Sequence, residues 1–335
     1  MSTLASVLSL RPTRRGLVVA TVAVLAFALG ATAGARSLNA VVVPALVGLA
    51  AGAVQLARAD APTVERSTPD PGFAGATRRV TVDVDTSVPC RITERLPDGV
   101  STDGGAPSAA VGHGGSFAYE IELQRRGAHE LGPATCRLTD SLGLFARRAD
   151  AEGTATALVY PEVYAVDGEV LADVVRRRLG DDRASFDRLR EFSPGDSMRD
   201  IHWRASARRA ADEFVVAEYA SRSEVSRVEV VGEAGPGGAD AMASTVASVV
   251  AHLHDAGVAV AVTVPEGRVV AQPGDAVPLL RLLAFTGDGH VDPEVRADAD
   301  VAVSGEGETA TVSVADREVD FDSLVGDDRG REVIA

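Results

Sequence analysis

Two long apolar runs open the chain, and a regular alternation of apolar and polar residues replaces them further along. The runs cover residues 16–35 and 38–57, and each is close to the ~20 residues that an α-helix needs to cross a bilayer. Because so few residues separate the runs, two spanning helices would turn back on each other. We therefore predict a transmembrane helical hairpin over 16–58, after a short amino-terminal tail, 1–15.

The alternation begins near residue 78 and has a period of two, which is typical of strands with one buried face. In the first such stretch Val80, Val82 and Val84 share one side, and similar stretches follow between turn-rich segments. Short alternating strands separated by turns favour an antiparallel β-sandwich, which we place at 77–165. The Pro- and Asp-rich residues 59–76 are expected to be a linker.

An alternation of helix and strand patterns follows. Apolar residues recur on one helical face over Ala239–Asp255, and Val258–Val264 is a continuous apolar run of the kind found in buried parallel strands. We expect an α/β domain at 227–321 and a solvated acidic tail at 322–335. The predicted fold is therefore an α+β multi-domain chain with a membrane hairpin, an antiparallel β-sandwich and a short α/β domain.

Charge is distributed unevenly along this pattern. The formal net charge is −15, yet the first 58 residues carry five arginines and no acid, so the remainder sums to −20. Lysine is absent. An acidic surface with arginine as its base predicts a halophilic protein, because at molar salt the Debye length falls to about 3 Å and like charges repel weakly. A GC-rich genome is the alternative source of the arginine preference. Acidity on this scale argues against a nucleic-acid partner, since phosphate binding needs a basic patch.

The arginines also orient the hairpin. Three precede the first apolar run, one lies in the turn and one ends the second run. The positive-inside rule then predicts cytoplasmic amino and carboxy termini and a cell-membrane location with two spans. An alternative stays open, because Thr13–Val18 fits a twin-arginine export signal with Ala31–Ala33 as its cleavage site. The second apolar run favours the hairpin, since a cleaved signal needs nothing like it.

Few residues indicate catalysis or cofactor binding. Cys90 and Cys136 form neither a metal set nor a disulfide framework, and we expect two small buried side chains rather than a disulfide. His202 has Asp200 and Ser206 nearby, but a hydrolase is disfavoured because no nucleophile elbow accompanies them. We therefore expect no enzyme activity, no cofactor and no metal site.

The stretch 189–219 is the densest in specific residue types and holds Trp203, the only tryptophan. Two interpretations compete for its charged residues. In the favoured one they form an internal salt-bridge network, because Arg–carboxylate forks fix geometry, with Trp203 as apolar anchor. In the other they form an exposed docking or anion-binding surface. The charged residues concerned are Arg190, Asp196, Arg199, Asp200, Arg204 and Arg208.

This stretch resembles the hallmark of domain of unknown function family 58, in a motif segment that we place at 166–226. The matching residues are Arg190, Phe192, Pro194, Gly195, Asp196, Arg199, Ile201, Trp203, Ser206, Ala207 and Arg208. Three upstream elements are also similar to those of the family. The first contains Arg126 and Gly127, the second Asp140, Gly143 and Phe145, and the third Tyr160 and Pro161. The resemblance extends over nearly the whole chain.

The resemblance implies two membrane helices, a β-rich domain, the motif and a von Willebrand factor type A-like α/β domain, here truncated. It also implies a MoxR-type AAA+ ATPase as partner, in protein maturation or envelope-related processes. The expected function is that of a membrane-anchored, non-enzymatic interaction or scaffold protein. The alternative is a metal-dependent ligand-binding module. It is disfavoured because the strand ending Gly232-Glu233-Ala234 lacks the family's Asp-x-Ser-x-Ser, and a divalent ion needs several oxygen ligands.

Overall fold

The computed structural model describes residues 10–33, 36–166, 170–176, 186–191, 215–219, 227–315 and 317–325. The chain divides into two compact units, Met1–Val159 and Tyr160–Ala335. The first unit holds two apolar helices and antiparallel sheets, and the second holds a mixed sheet with its helices.

Two helices begin the first unit, α1 (Arg14–Ala33) and α2 (Asn39–Arg58), with a 3-10 turn at Arg36–Leu38 between them. Both are long and apolar enough to cross a membrane. Many of their apolar side chains are exposed, among them Val24 at 66% and Phe27 at 63%. The core helices of soluble proteins bury such side chains, so this exposure fits helices that contact lipid. Both helices lie within two residues of the bounds that the apolar runs predicted.

Antiparallel strands make up the rest of the first unit. In chain order they are β1 (Arg11–Pro12), β2 (Thr63–Arg66), β3 (Thr77–Asp85), β4 (Cys90–Thr93), β5 (Val100–Ser101), β6 (Ser108–Val111), β7 (Gly115–Leu123), β8 (Gly127–Leu131), β9 (Ala134–Thr139), β10 (Phe145–Ala151) and β11 (Ala155–Val159). One sheet has the order β1-β10-β9-β4-β6 and another the order β2-β3-β7-β5, while β8 and β11 pair as a ribbon.

The two sheets share one hydrophobic core. Val80 and Val82 of β3 enter it from one sheet, and Ile92 of β4 and Leu138 of β9 enter it from the other. Successive strand residues point to opposite faces, so the period of two places these side chains together. A core shared by two antiparallel sheets is the arrangement expected of a β-sandwich.

Strand β2 lies within residues 59–76, which the sequence placed in a linker. Its Val64 is 4% exposed in the core and lies opposite Val84 of β3. A four-residue strand with one buried apolar side chain offers too little alternation to be distinguished from a loop. The first unit ends at Val159, six residues before the predicted end of the sandwich at 165.

The second unit contains a six-stranded sheet. Its strands and helices in chain order are α3 (170–176), β12 (Phe186–Glu191), β13 (Val215–Tyr219), β14 (Arg227–Ala234), α4 (Ala239–Asp255), β15 (Ala259–Val264), β16 (Gly267–Ala271), α5 (Val277–Phe285), α6 (Pro293–Ala297), β17 (Val301–Glu306), β18 (Thr309–Val314), β19 (Arg317–Asp320) and α7 (Phe321–Val325). The sheet order is β16-β15-β14-β17-β18-β19, and β12 pairs with β13 separately. Strand β14 is parallel to β15 and β17, and the outer strands are antiparallel.

Helix α7 covers the start of the range 322–335, which the sequence placed in a solvated tail. Its Leu324 is 3% exposed, and Phe321 and Val325 are buried beside it. These three residues have the i, i+3, i+4 spacing of a helical face, so a short apolar stripe interrupts an acidic sequence. The acidic composition of the range led to the prediction of a solvated tail and did not indicate this stripe.

Candidate functional site

The loop between β9 and β10, hereafter the 140–144 loop, folds around the side chain of Asp140. Its carboxylate accepts hydrogen bonds from the backbone N–H groups of Leu142 (3.0 Å) and Phe145 (2.6 Å). The Asp140 carbonyl accepts a third from the N–H of Gly143, whose φ of +68° suits glycine. Asp140 is 2% exposed, so backbone donors stabilise an acidic side chain inside the protein.

The 140–144 loop binds the start of α1. Thr13 donates its hydroxyl hydrogen to the Gly143 carbonyl (2.6 Å), and its N–H donates to the Leu144 carbonyl (2.8 Å). The same hydroxyl oxygen accepts from the N–H of Gly16 (3.1 Å), as an N-cap does. Strand β1, directly before Thr13, extends the sheet by pairing with β10. The beginning of α1 is therefore built into the sandwich.

The loop also binds the end of α2. Gln55 donates from Nε2 to Ser141 Oγ (2.8 Å), and its Oε1 accepts from the N–H of Ser141 (3.1 Å). Leu56 is fully buried in the sandwich core. Arg147 of β10 donates to the carbonyl of Ala59, just after the helix (2.7 Å). Both apolar helices are thus joined to the same sandwich at one loop.

Two helix glycines allow this close packing. A Cβ added to Gly16 would overlap the carbonyl oxygen of Leu144, which is backbone and has little freedom to move. A Cβ added to Gly52 would lie 2.9 Å from Asp140 Oδ2. Glycine at these positions lets the helix backbones approach the loop as closely as its hydrogen bonds require.

The sequence singled out part of this site. Asp140, Gly143 and Phe145 belong to one of the three upstream elements, and the structure brings them together in the loop and at the start of β10. The sequence did not identify Thr13 or Gln55 as their partners. The sequence did offer one signal for Thr13, because a Thr directly before an apolar helix is a common N-cap residue.

The other two upstream elements lie elsewhere in the fold. Gly127 begins β8 opposite Val159 and adopts a φ of +138°, with Arg126 directly before it. Tyr160 and Pro161 follow β11 and are both buried at the start of the second unit. These residues lie at strand ends, apart from the helix contact, and their role stays a prediction.

A buried ion pair joins the two sheets of the sandwich. Arg66 of β2 donates from Nε to Glu94 Oε2 (2.9 Å) and from Nη2 to Oε1 (3.1 Å), and neither side chain is exposed. Arg66 Nη1 also donates to the carbonyl of Gly153 (2.5 Å). This bidentate geometry balances both charges away from solvent. Burial and the nearby charge of Glu94 raise the pKa of the Tyr119 hydroxyl.

Cys90 and Cys136 are free, buried thiols, as the sequence predicted. They lie on the paired strands β4 and β9 and share a hydrogen bond. This bond and burial raise the pKa of the Cys136 thiol. The same hydrogen bond lowers the pKa of the Cys90 thiol. Both thiols are buried away from solvent, so the pair behaves as core packing.

In the second unit, acidic side chains lie at the carboxyl end of β14. Glu233 is 8% exposed, accepts from the N–H of Val291 (2.9 Å) and pairs with Arg296. Asp288 accepts from the N–H groups of Gly237 (2.7 Å) and Ala239 (3.2 Å) at the start of α4. These carboxylates bind groups of the chain itself. Among the described residues, no three His, Cys, Asp or Glu side chains form a cluster suited to a metal ion.

Most of the motif segment lies outside the described residues. Within it, β12 pairs with β13, and Arg190 stands opposite Val216 in that register. The motif residues outside the described part of the chain are Phe192, Pro194, Gly195, Asp196, Arg199, Ile201, Trp203, Ser206 and Arg208. The choice between a salt-bridge network and a docking surface therefore stays a prediction.

Comparisons with known proteins identify no family for the chain. No family model and no curated protein matches it. One similar solved structure is the CARDB domain of a Pyrococcus furiosus protein in complex with di-metal ions (11% identity, 30% of this chain and 93% of that chain, TM-score 0.20). Another is the PKD domain of an M14-like peptidase from a Thermoplasmatales archaeon (17% identity, 30% of this chain and 94% of that chain, TM-score 0.20). At these TM-scores neither likeness carries an argument, and the site rests on its own geometry.

Proposed function

We propose that this chain is a membrane-anchored, non-enzymatic interaction protein that holds a β-sandwich and a von Willebrand factor A-like α/β domain at the cell membrane. The observation that carries the proposal is the double contact of the 140–144 loop. Thr13 before α1 and Gln55 near the end of α2 both bind that loop. A tether alone would need no such contacts, whereas a scaffold that presents its sandwich in a set orientation at the membrane requires them.

The same contacts support the hairpin over the export signal. Cleavage after Ala33 would remove α1 together with Thr13, and the carbonyls of Gly143 and Leu144 would lose their donors. Since both helix ends meet one loop, the amino terminus and the sandwich share one side of the membrane. The arginines at these helix ends assign that side to the cytoplasm by the positive-inside rule.

The proposed partner is a MoxR-type AAA+ ATPase, in protein maturation or envelope-related work. The support for this partner is the resemblance of residues 189–219 to the family motif. The mixed sheet of the second unit, with parallel strands flanking β14, is in keeping with an α/β interaction domain. The net charge of −20 beyond residue 58 argues against nucleic acid in that role.

We expect the full chain in lipid nanodiscs to bind a purified MoxR-type ATPase from the same organism, with an affinity that depends on the bound nucleotide. Biolayer interferometry with ADP and with a non-hydrolysable ATP analogue measures it. A folded chain that binds the ATPase in neither nucleotide state would overturn the proposed partner.

Two variants separate the interpretations of the motif. If it is a docking surface, the double substitution Arg204→Ala and Arg208→Ala lowers ATPase binding and leaves the melting temperature unchanged. If it is a structural network, Trp203→Ala lowers the melting temperature first. Melting is measured on the same nanodisc samples, so folding and binding are compared directly.

A further inference from the structure

We propose that the 140–144 loop is inserted into the membrane, with Leu142 in contact with the acyl chains. The sandwich would then not merely sit above the bilayer on its two helices. It would also insert the tip of one loop, Leu142, among the lipid acyl chains beside α2. The inference rests on the proposed function in one respect, namely that α1 and α2 cross a membrane.

The position of the loop along α2 sets its depth. Leu142 Cδ1 lies 3.6 Å from the position that a Cβ would take on Gly48, ten residues before the end of the helix at Arg58. At 1.5 Å per residue, that level is about 15 Å along the axis from Arg58. Helix α2 has 20 residues and is about 30 Å long, the thickness of the hydrocarbon core. Leu142 at the tip of the loop therefore lies within the membrane if α2 spans it, while Ser141 and Leu144 contact the helix ends at Gln55 and Thr13.

Exposure of Leu142 supports a lipid neighbour. Among the described residues 59–159, it is the one large apolar side chain that is exposed, at 57%. Leu144, two positions on, is 6% exposed. Apolar side chains of α2, the helix that Leu142 contacts, are also exposed, among them Val47 at 62% and Val54 at 47%. One lipid layer would cover all of them.

Most backbone polar groups of the loop are paired by hydrogen bonds inside the protein, as a non-polar environment requires. Irregular backbone at membrane depth is tolerated only where its polar groups are satisfied inside the protein. The described hydrogen bonds pair the N–H groups of Ser141, Leu142, Gly143 and Phe145 and the carbonyls of Gly143 and Leu144. The partners are Asp140 and residues of the two helices.

Spin labels in the full chain test the insertion. A nitroxide is attached to Leu142→Cys, to Val24→Cys in the middle of α1, and to Asp150→Cys on β10. Asp150 is exposed and follows Phe145 by five strand residues, so it lies about 16 Å further from the loop. The native thiols are buried, and the unsubstituted chain measures any background labelling. Collision with oxygen, which concentrates in lipid, is compared with collision with a water-soluble nickel chelate.

We expect the label at Leu142 to collide more with oxygen than with nickel, as the label at Val24 does, and the label at Asp150 to show the reverse. A label at Leu142 that matches Asp150 while Val24 stays in lipid would overturn the insertion and leave the membrane anchor intact. Nickel access at Val24 would overturn both, because α1 would then not span the membrane. Melting of each labelled variant excludes misfolding as the cause.

Discussion

Glu94→Ala should be among the most destabilising substitutions in the sandwich. It leaves the Arg66 guanidinium buried without its bidentate partner, since neither side chain of the pair is exposed. Removing one partner of a buried ion pair costs about 3–5 kcal/mol of unfolding free energy. Urea denaturation of the detergent-solubilised chain, followed by the circular dichroism of the strands, measures the loss.

The matched control removes both charges. The double variant Arg66→Met with Glu94→Leu replaces the pair by apolar side chains and should recover most of the loss, because such replacements are often neutral or stabilising. A Glu94→Ala variant within about 0.5 kcal/mol of the parent, the usual range of a surface substitution, would show that the pair is solvated. The single and double variants together show how much of the loss in unfolding free energy comes from lost packing and how much from the unpaired charge of Arg66.

Asp140→Ala should loosen the contact between the sandwich and the helices. The substitution removes the acceptors for the N–H groups of Leu142 and Phe145, and each buried donor left unpaired costs about 1–3 kcal/mol. The loop would then lose the shape that presents its carbonyls to Thr13. We expect a loss of about 2–6 kcal/mol of unfolding free energy from these two donors. We also expect faster proteolysis of the chain between α2 and β2.

Asp140→Asn is the graded control for this substitution. Asparagine keeps one acceptor oxygen, so it should retain part of the stability, and its melting temperature should lie between those of the parent and Asp140→Ala. Ser141→Ala removes only the hydroxyl that accepts from Gln55 and keeps the loop turn intact, so its effect should be small. Equal stability of the parent and Asp140→Ala would contradict the role of the loop as a helix contact.

The helices and strands of this chain were predictable where a period repeats over many residues. The apolar runs predicted α1 and α2 to within two residues, and the alternation of Val80, Val82 and Val84 predicted β3 and its buried face. Each of these patterns is local, so the physical cause can be found in neighbouring residues.

The helix contact could not be predicted, because its partners are distant in sequence. Thr13 and Gly143 are 130 positions apart, and Gln55 and Ser141 are 86 apart. No local pattern pairs such residues. The family resemblance singled out Asp140 without a role, and the structure supplies the role as the acceptor that shapes the loop.

The buried ion pair was missed for a different reason. Arg66 and Glu94 lie in stretches with several other charged residues, and charged side chains in such stretches are mostly solvated. Only the fold brings β2 beside the end of β4 and removes both side chains from water. The same strand explains why residues 59–76 contain more structure than their Pro- and Asp-rich composition indicated.

The measurement that tests the central claim most directly is the sidedness of three cysteines, each added in a separate variant, in sealed vesicles of known orientation; the native thiols are buried. Pro12→Cys lies on β1 before α1, Ser37→Cys in the turn between the helices, and Asp150→Cys on the sandwich. All three parent residues are exposed. With a membrane-impermeant maleimide, positions 12 and 150 should react from the cytoplasmic side and position 37 from the opposite side. Positions 12 and 150 on opposite sides, or a mature chain from which position 12 has been cleaved, would contradict a sandwich bound to both ends of a membrane hairpin.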